Sequence, residues 1–318
     1  MPTRDRLLAV LTAVLWGCNF LAIHATLTHF PPLLAAGVRF LLVAVPTMLL
    51  VPWPKVKLRW LLGYGLGFGT LQFAFLFVGM DTGMPTGLAS LVLQASAPLT
   101  VVLGALLLRE QLTARQVVGI TLAVLGMAAI AWQRAEHAAL LPVVLTLLGA
   151  LSWAVGNLCA RKAEAPNPLH FTLWSSVVPP IPMFVLSLVF EGPRAQWQAV
   201  STAFTSEALL ALAGLAYVVV FGTVVGSGIW TTLMRRNPAS TVAPFSLLVP
   251  VVGLTLAFVV LDERPTPVEI AASVVVVGGV LLGSLPRRPR RGRTHAVTGS
   301  SAAGSERGDT RPARMSSA

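Results

Sequence analysis

Ten stretches of mostly apolar residues follow one another along this 318-residue chain, separated by short polar breaks. They run over about 7–27, 33–52, 60–80, 86–108, 117–133, 139–160, 169–190, 207–234, 239–261 and 268–285. A helix rises about 1.5 Å per residue and a bilayer's hydrocarbon core is about 30 Å thick, so roughly 20 residues make one crossing. Inside that core every backbone N–H and C=O needs an internal partner, which a helix supplies within one segment. The expected fold class is therefore all-α, a polytopic membrane protein with ten transmembrane helices. Composition supports this choice of solvent: 55% of residues are hydrophobic and 11% charged, with mean hydropathy +0.77. An average soluble domain carries about 25% charge. A secreted disulfide scaffold, a nucleic-acid binder and an ordinary cytosolic enzyme are excluded on that ground. Cys18 and Cys159 both fall in apolar stretches and read as reduced packing residues.

Where the charges fall sets the expected orientation. Lys and Arg number 23 against 12 Asp and Glu. With a cytoplasmic N-terminus, inner segments hold 19 of the basic residues; the outer loops hold Arg134, Arg194 and Arg264, and Arg39 lies within a span. The positive-inside rule then places both termini in the cytoplasm. Arg4 and Arg6 precede the first span as they would a signal peptide, but its length and lack of a small-residue cleavage site point to a retained helix. Residues 287–318 change abruptly to Arg, Ser, Gly, Ala and Thr, which predicts a disordered cytoplasmic tail that anchors the topology.

The chain also repeats itself. Leu15-Trp16-Gly17-Cys18-Asn19 is echoed by Ser152-Trp153-Ala154-Val155-Gly156-Asn157, with one extra residue between Trp and Asn. Later, Gly87-Leu88-Ala89-Ser90, Pro98 and Glu110-Gln111-Leu112-Thr113 are matched by Ser240-Thr241-Val242-Ala243, Pro250 and Glu263-Arg264-Pro265-Thr266. The expected organisation is a first five-helix repeat at 1–133, a second at 134–286, and the tail at 287–318. Five is odd, so the two halves must lie inverted relative to one another. Inverted repeats are an architecture of secondary transporters, with the substrate site at the repeat interface near the midplane.

Polar side chains at membrane depth are functional candidates by default. Asn19, Gln72, Gln94 and Asn157 lie well inside spans 1, 3, 4 and 6, Ser246 adds a hydroxyl, and Trp16, Trp153 and Trp230 supply aromatic walls. None is charged, which suits a small zwitterion or neutral polar metabolite that must be bound and released. The competing reading of each amide is interhelical bonding, worth about 0.6 kcal/mol on average. Pro98 and Pro250 occupy corresponding places and free the carbonyls of Gln94 and Ser246, so they are read as hinges or as static kinks. Glycines spaced by four (Gly63/Gly67, Gly65/Gly69, Gly222/Gly226 and Gly279/Gly283) read as close helix contacts. The carboxylates fall in loops, tails or span ends, and no His/Asp/Glu ligand spacing occurs, so neither a metal nor another cofactor is expected. His24, near the outer end of span 1, is a proton-linked candidate or a packing residue. Arg39, some six residues inside span 2, snorkels outward, bonds to neighbouring loop carbonyls or contacts a substrate carboxylate.

These residues resemble a known family. Trp-Gly-x-Asn-Phe at Trp16 to Phe20 and Arg39-Phe40 are similar to the EamA family of the drug/metabolite transporter superfamily. So are Gly83-Met84-Pro85-Thr86-Gly87-Leu88-Ala89-Ser90-Leu91-Val92-Leu93-Gln94-Ala95, Gly228-Ile229-Trp230 and Pro244-Phe245-Ser246-Leu247-Leu248-Val249-Pro250-Val251-Val252-Gly253-Leu254. The resemblance covers about 6–285. It implies a bacterial inner-membrane carrier that exports small amino-acid metabolites of the O-acetylserine and cysteine kind by alternating access. Spans 1, 3, 4, 6, 8 and 9 would share its cavity. The implied partners are a small polar amino-acid metabolite and the lipid bilayer, with no nucleic acid. A carrier of drugs, amphiphiles or other polar metabolites is the second expectation. A membrane-embedded enzyme is the third, although no nucleophile–base pair lies at membrane depth.

Overall fold

A computed structural model describes residues 1–109, 111–136, 140–237 and 242–284. The expected tail at 287–318 lies outside the described residues, as do Glu110, Ser240 and Thr241 of the repeated segments. Among the described residues every regular element is helical. The main helices are α1 (Thr3–Leu27), α2 (Pro32–Leu50), α3 (Leu58–Asp81), α4 (Thr86–Leu107) and α5 (Ala114–Glu136). They continue with α6 (Leu140–Ala163), α7 (Pro168–Phe190), α8 (Ser206–Arg236), α9 (Phe245–Leu261) and α10 (Pro267–Ser284).

Among the described residues eight helices, α1 to α8, are long and apolar enough to cross a membrane. The ninth and tenth expected spans appear as shorter apolar helices. Ahead of Pro250, the residues Ala243–Leu247 are wound as a tight 3₁₀ helix. The connection near 191–206, expected as a loop, contains a short helix at Pro193–Ser201. Gly192, with φ 84°, turns the chain and Pro193 opens that helix where its missing N–H costs nothing.

Helix ends follow from particular side chains. Asn167 caps α7, its Oδ1 accepting from the backbone N–H groups of Leu169 (3.1 Å) and His170 (3.3 Å). α5 and α10 open with matching reciprocal caps. Gln116 accepts from the Thr113 N–H at 2.9 Å while Thr113 Oγ1 accepts from the Gln116 N–H at 3.3 Å. Glu269 and Thr266 do the same at 2.9 and 3.3 Å. α4 and α9 both end on a left-handed residue, Arg109 (φ 55°) and Asp262 (φ 52°).

The helices pair in a pattern that survives adding five to each number. α1 packs on α8 as α6 packs on α3, and α1 packs on α9 as α6 packs on α4. The pairs α2–α7, α4–α9 and α5–α10 map onto themselves. Several crossings run over the anticipated glycines: a Cβ on Gly279 would stand 2.7 Å from the Gly119 carbonyl oxygen, and one on Gly63 would stand 2.6 Å from Cys159 Sγ. Leu49, Leu50, Phe190 and Val259 stand among many large apolar side chains on the outside of the bundle, where lipid would solvate them.

Candidate functional site

The site begins at the joint between α1 and α8. α8 contains a π-helical turn at Val218–Val225, a widened segment often found at functional sites. Trp16 Nε1 donates to the Gly222 carbonyl in that turn at 3.1 Å, and its ring centroid lies 5.1 Å from that of Trp230. Asn19, one turn further along α1, packs against Gly222, where any Cβ would collide with the Asn19 amide oxygen. Asn19 is 9% exposed, and its Oδ1 is buried without a donor.

Arg39 meets the same turn from α2. Its Nε and Nη2 donate to Thr223 Oγ1 at 3.3 and 3.0 Å, and its guanidinium carbon sits 3.9 Å above the Phe73 ring of α3. Arg39 is 4% exposed, so the outward snorkel anticipated as one alternative is not adopted. The stem cannot carry the charge to water because the head is held between the hydroxyl and the ring. A guanidinium at a helix centre costs about 2.5–3.5 kcal/mol on insertion scales, and a desolvated cation–π contact returns about 2 kcal/mol. Arg39 has no carboxylate partner among the described residues, and its Nη1 has no hydrogen-bond acceptor. Gln72, beside Phe73, is 2% exposed and its Oε1 likewise lacks a donor.

A second set of amides joins the halves across α4. Gln94 Nε2 donates to the Ser246 carbonyl at 3.3 Å. Pro250 has no N–H to offer that carbonyl, which accepts from the backbone in the tight turn and from Gln94 across the helices. Both prolines follow tightly wound turns, at Leu93–Ala95 before Pro98 and at Ala243–Leu247 before Pro250. Asn157 Nδ2 on α6 donates to Thr100 Oγ1 on α4 at 3.1 Å. Trp153, one turn away on α6, faces Phe68 with ring centroids 5.7 Å apart.

The predicted residues thus gather at two places: Trp16, Asn19 and Trp230 on α1–α8, where Arg39 arrives from α2, and Gln94, Ser246 and Asn157 around α4; Gln72 lies apart on α3, its backbone carbonyl facing Gly149 of α6. His24 is exposed on α1, away from both places. Two hollows lie elsewhere. One, about 130 Å³, is lined by Pro85, Leu88, Leu254 and Glu263, and a smaller one touches Pro98 and Gly279.

Thr223 and Phe73 were not singled out by sequence, and Glu263 stood out only as part of the repeat. Glu263 accepts from the N–H groups of Thr86 (2.8 Å) and Gly87 (3.0 Å) at the start of α4. Thr223 carries a signal that was available. Tyr64-x-x-x-Phe68-Gly69-Thr70 recurs as Tyr217-x-x-x-Phe221-Gly222-Thr223. Both copies form π-turns, at Gly65–Leu71 and Val218–Val225. In each, the threonine hydroxyl donates to the carbonyl five residues back, Gly65 (3.4 Å) and Val218 (2.9 Å).

Comparison with known proteins adds the family. The model of the EamA-like transporter family matches residues 6–132 and again 140–285. A "Probable amino-acid metabolite efflux pump" of Escherichia coli (strain K12) is 42% identical over 92% of this chain and 98% of its own length. A protein of the same description from Salmonella typhimurium is 43% identical over the same shares. A "Probable terminal-alkyne amino-acid exporter" of Streptantibioticus cattleyicolor is 26% identical over 91% of this chain and 95% of its own. One solved structure superimposes with TM-score 0.56 at 19% identity, covering 89% of this chain and 96% of that one, which supports the fold alone.

Proposed function

This chain belongs to the EamA-like transporter family, and from that membership we propose that it exports small amino-acid metabolites across a bacterial inner membrane by alternating access. O-Acetylserine and cysteine typify the substrates, the carrier performs no chemistry on them, and both termini face the cytoplasm. The relatives described as amino-acid metabolite efflux pumps support the solute class. The observation that carries the reading is that uncharged donors and acceptors of both halves meet at the joints between them: Trp16 with Gly222, Gln94 with the Ser246 carbonyl, and Asn157 with Thr100. Such groups bind a zwitterion without trapping it. Substrate would exchange into these bonds as the α1–α8 and α4–α9 joints rock, with Pro98 and Pro250 bending their helices and Trp153 and Trp230 walling the path.

The test is efflux of O-acetylserine, cysteine and several unrelated drugs from cells expressing the protein, beside an empty-vector control. Export of the amino-acid solutes is expected to fall about tenfold or more when Gln94 and Asn157 are both replaced by Leu, since a lost substrate hydrogen bond is worth about 1 kcal/mol and two are removed. Unchanged efflux in that double variant rejects the assignment of these residues. Drug efflux without amino-acid efflux rejects the solute class.

A further inference from the structure

Two buried polar groups with an unpartnered atom meet at one turn. Arg39 reaches Thr223 yet keeps Nη1 free, and Asn19 lies on Gly222, the residue before Thr223, with a free carbonyl oxygen. They come from α2 and α1 and meet on α8. The charge pattern of the pair is one fixed cation and one neutral acceptor. Neutral groups already bonded elsewhere, such as Gln94 and Asn157, offer no such demand.

We propose that this cluster recognises the α-amino-acid head of the substrate, its carboxylate on the Arg39 guanidinium and its ammonium on the carbonyl oxygen of Asn19. The assignment rests on the exporter reading above and deepens it. A guanidinium pairs a carboxylate with two parallel N–H donors, and Thr223 and Phe73 hold its plane so that little rotamer freedom is lost on binding. Burial raises the specificity of the match, because a solute lacking either charge leaves the opposing group unpaired in a medium that does not solvate it. Recognition of the head alone leaves the side chain of the solute unread here, so amino acids with varied small side chains share the site. Free α-amino acids are therefore bound, and their amides, esters and decarboxylated amines are not. In the conformation described the cluster is closed between these helices, and their parting admits the solute.

The experiment is counterflow in proteoliposomes of the full chain, with labelled L-serine or O-acetyl-L-serine inside and unlabelled analogues competing. L-Serinamide, which lacks the carboxylate, and ethanolamine, which lacks the whole carboxyl carbon, are expected to compete about tenfold or more weakly than L-serine, as removal of a charge-assisted bond implies. Arg39→Gln is expected to lose that preference, levelling acid and amide to within about twofold, while Arg39→Lys restores part of it. Asn19→Leu is expected to weaken competition by amino acids but not by glycerate, which has no ammonium. Equal competition by serine and serinamide in the unaltered protein overturns the assignment even where the variants fail to fold, and so does an Arg39→Gln protein that still prefers the acid. A protein that moves no amino acid at all overturns the exporter reading itself; one that moves them without carboxylate preference overturns only this cluster's role.

Discussion

A Cβ added at Gly67 would stand 2.9 Å from the Ser152 carbonyl oxygen and 3.0 Å from the Gly156 amide nitrogen. Both opposing atoms are backbone of α6, so neither can swing aside as a side chain would. Gly67→Ala is accordingly expected to destabilise the protein by about 1–3 kcal/mol, the usual cost of overpacking. Thermal unfolding in detergent checks this, with Gly228→Ala as the control, because a Cβ there meets nothing within 4 Å. The spacing of the glycines was readable in the sequence, and so was the rarity of Asn19, Gln72 and Arg39 at membrane depth. Their partners were not. Whether Arg39 snorkels or stacks depends on a ring 34 positions away and a hydroxyl 184 positions away. No local pattern records such a meeting.

At the level of the helix, the two π-turns are built alike and loaded differently. Thr223 closes its turn and also accepts from Arg39, whereas among the described residues the Thr70 hydroxyl bonds to Gly65 alone. Thr223→Val removes the acceptor of a buried guanidinium, which costs about 1–3 kcal/mol or more for a charged group left unsatisfied. Thr70→Val removes one long bond and is expected to cost well under that. Comparing the unfolding midpoints of the two variants tests the difference, and equal losses would show that Arg39 draws nothing from Thr223. The repeated Tyr-x-x-x-Phe-Gly-Thr marks both turns, but a π-turn adds a residue without interrupting the apolar run, so hydropathy alone passes over it. Pro98 and Pro250 were legible as breakers. That Gln94 would reach the Ser246 carbonyl on another helix was not.

For the molecule as a whole, carboxylates shut one end of the bundle. Glu263 accepts from the opening N–H groups of α4, and Glu191 accepts from those of Leu33 (2.6 Å) and Leu34 (3.1 Å) at the start of α2. Each carboxylate belongs to the second half and caps a helix of the first, where the helix dipole favours a negative charge. A charge-assisted bond of this kind is worth about 1.5–3 kcal/mol, and 1.4 kcal/mol is about tenfold in population. Glu263→Gln is therefore expected to speed thiol labelling of a Leu88→Cys reporter about tenfold, in a background where Cys18 and Cys159 are replaced by Ser. Leu88 is 2% exposed beside Glu263, so labelling reads the opening of that end. Unchanged labelling would show that the clamp does not hold it shut. The sequence by itself determined the lipid setting, the succession of apolar helices and the internal repetition, because length, hydropathy and motif order are properties of neighbours along the chain. Only the tertiary structure decided which buried polar groups are satisfied by other helices and which are left open, because hydrogen bonds across a bundle join residues whose separation in sequence carries no information about their distance in space.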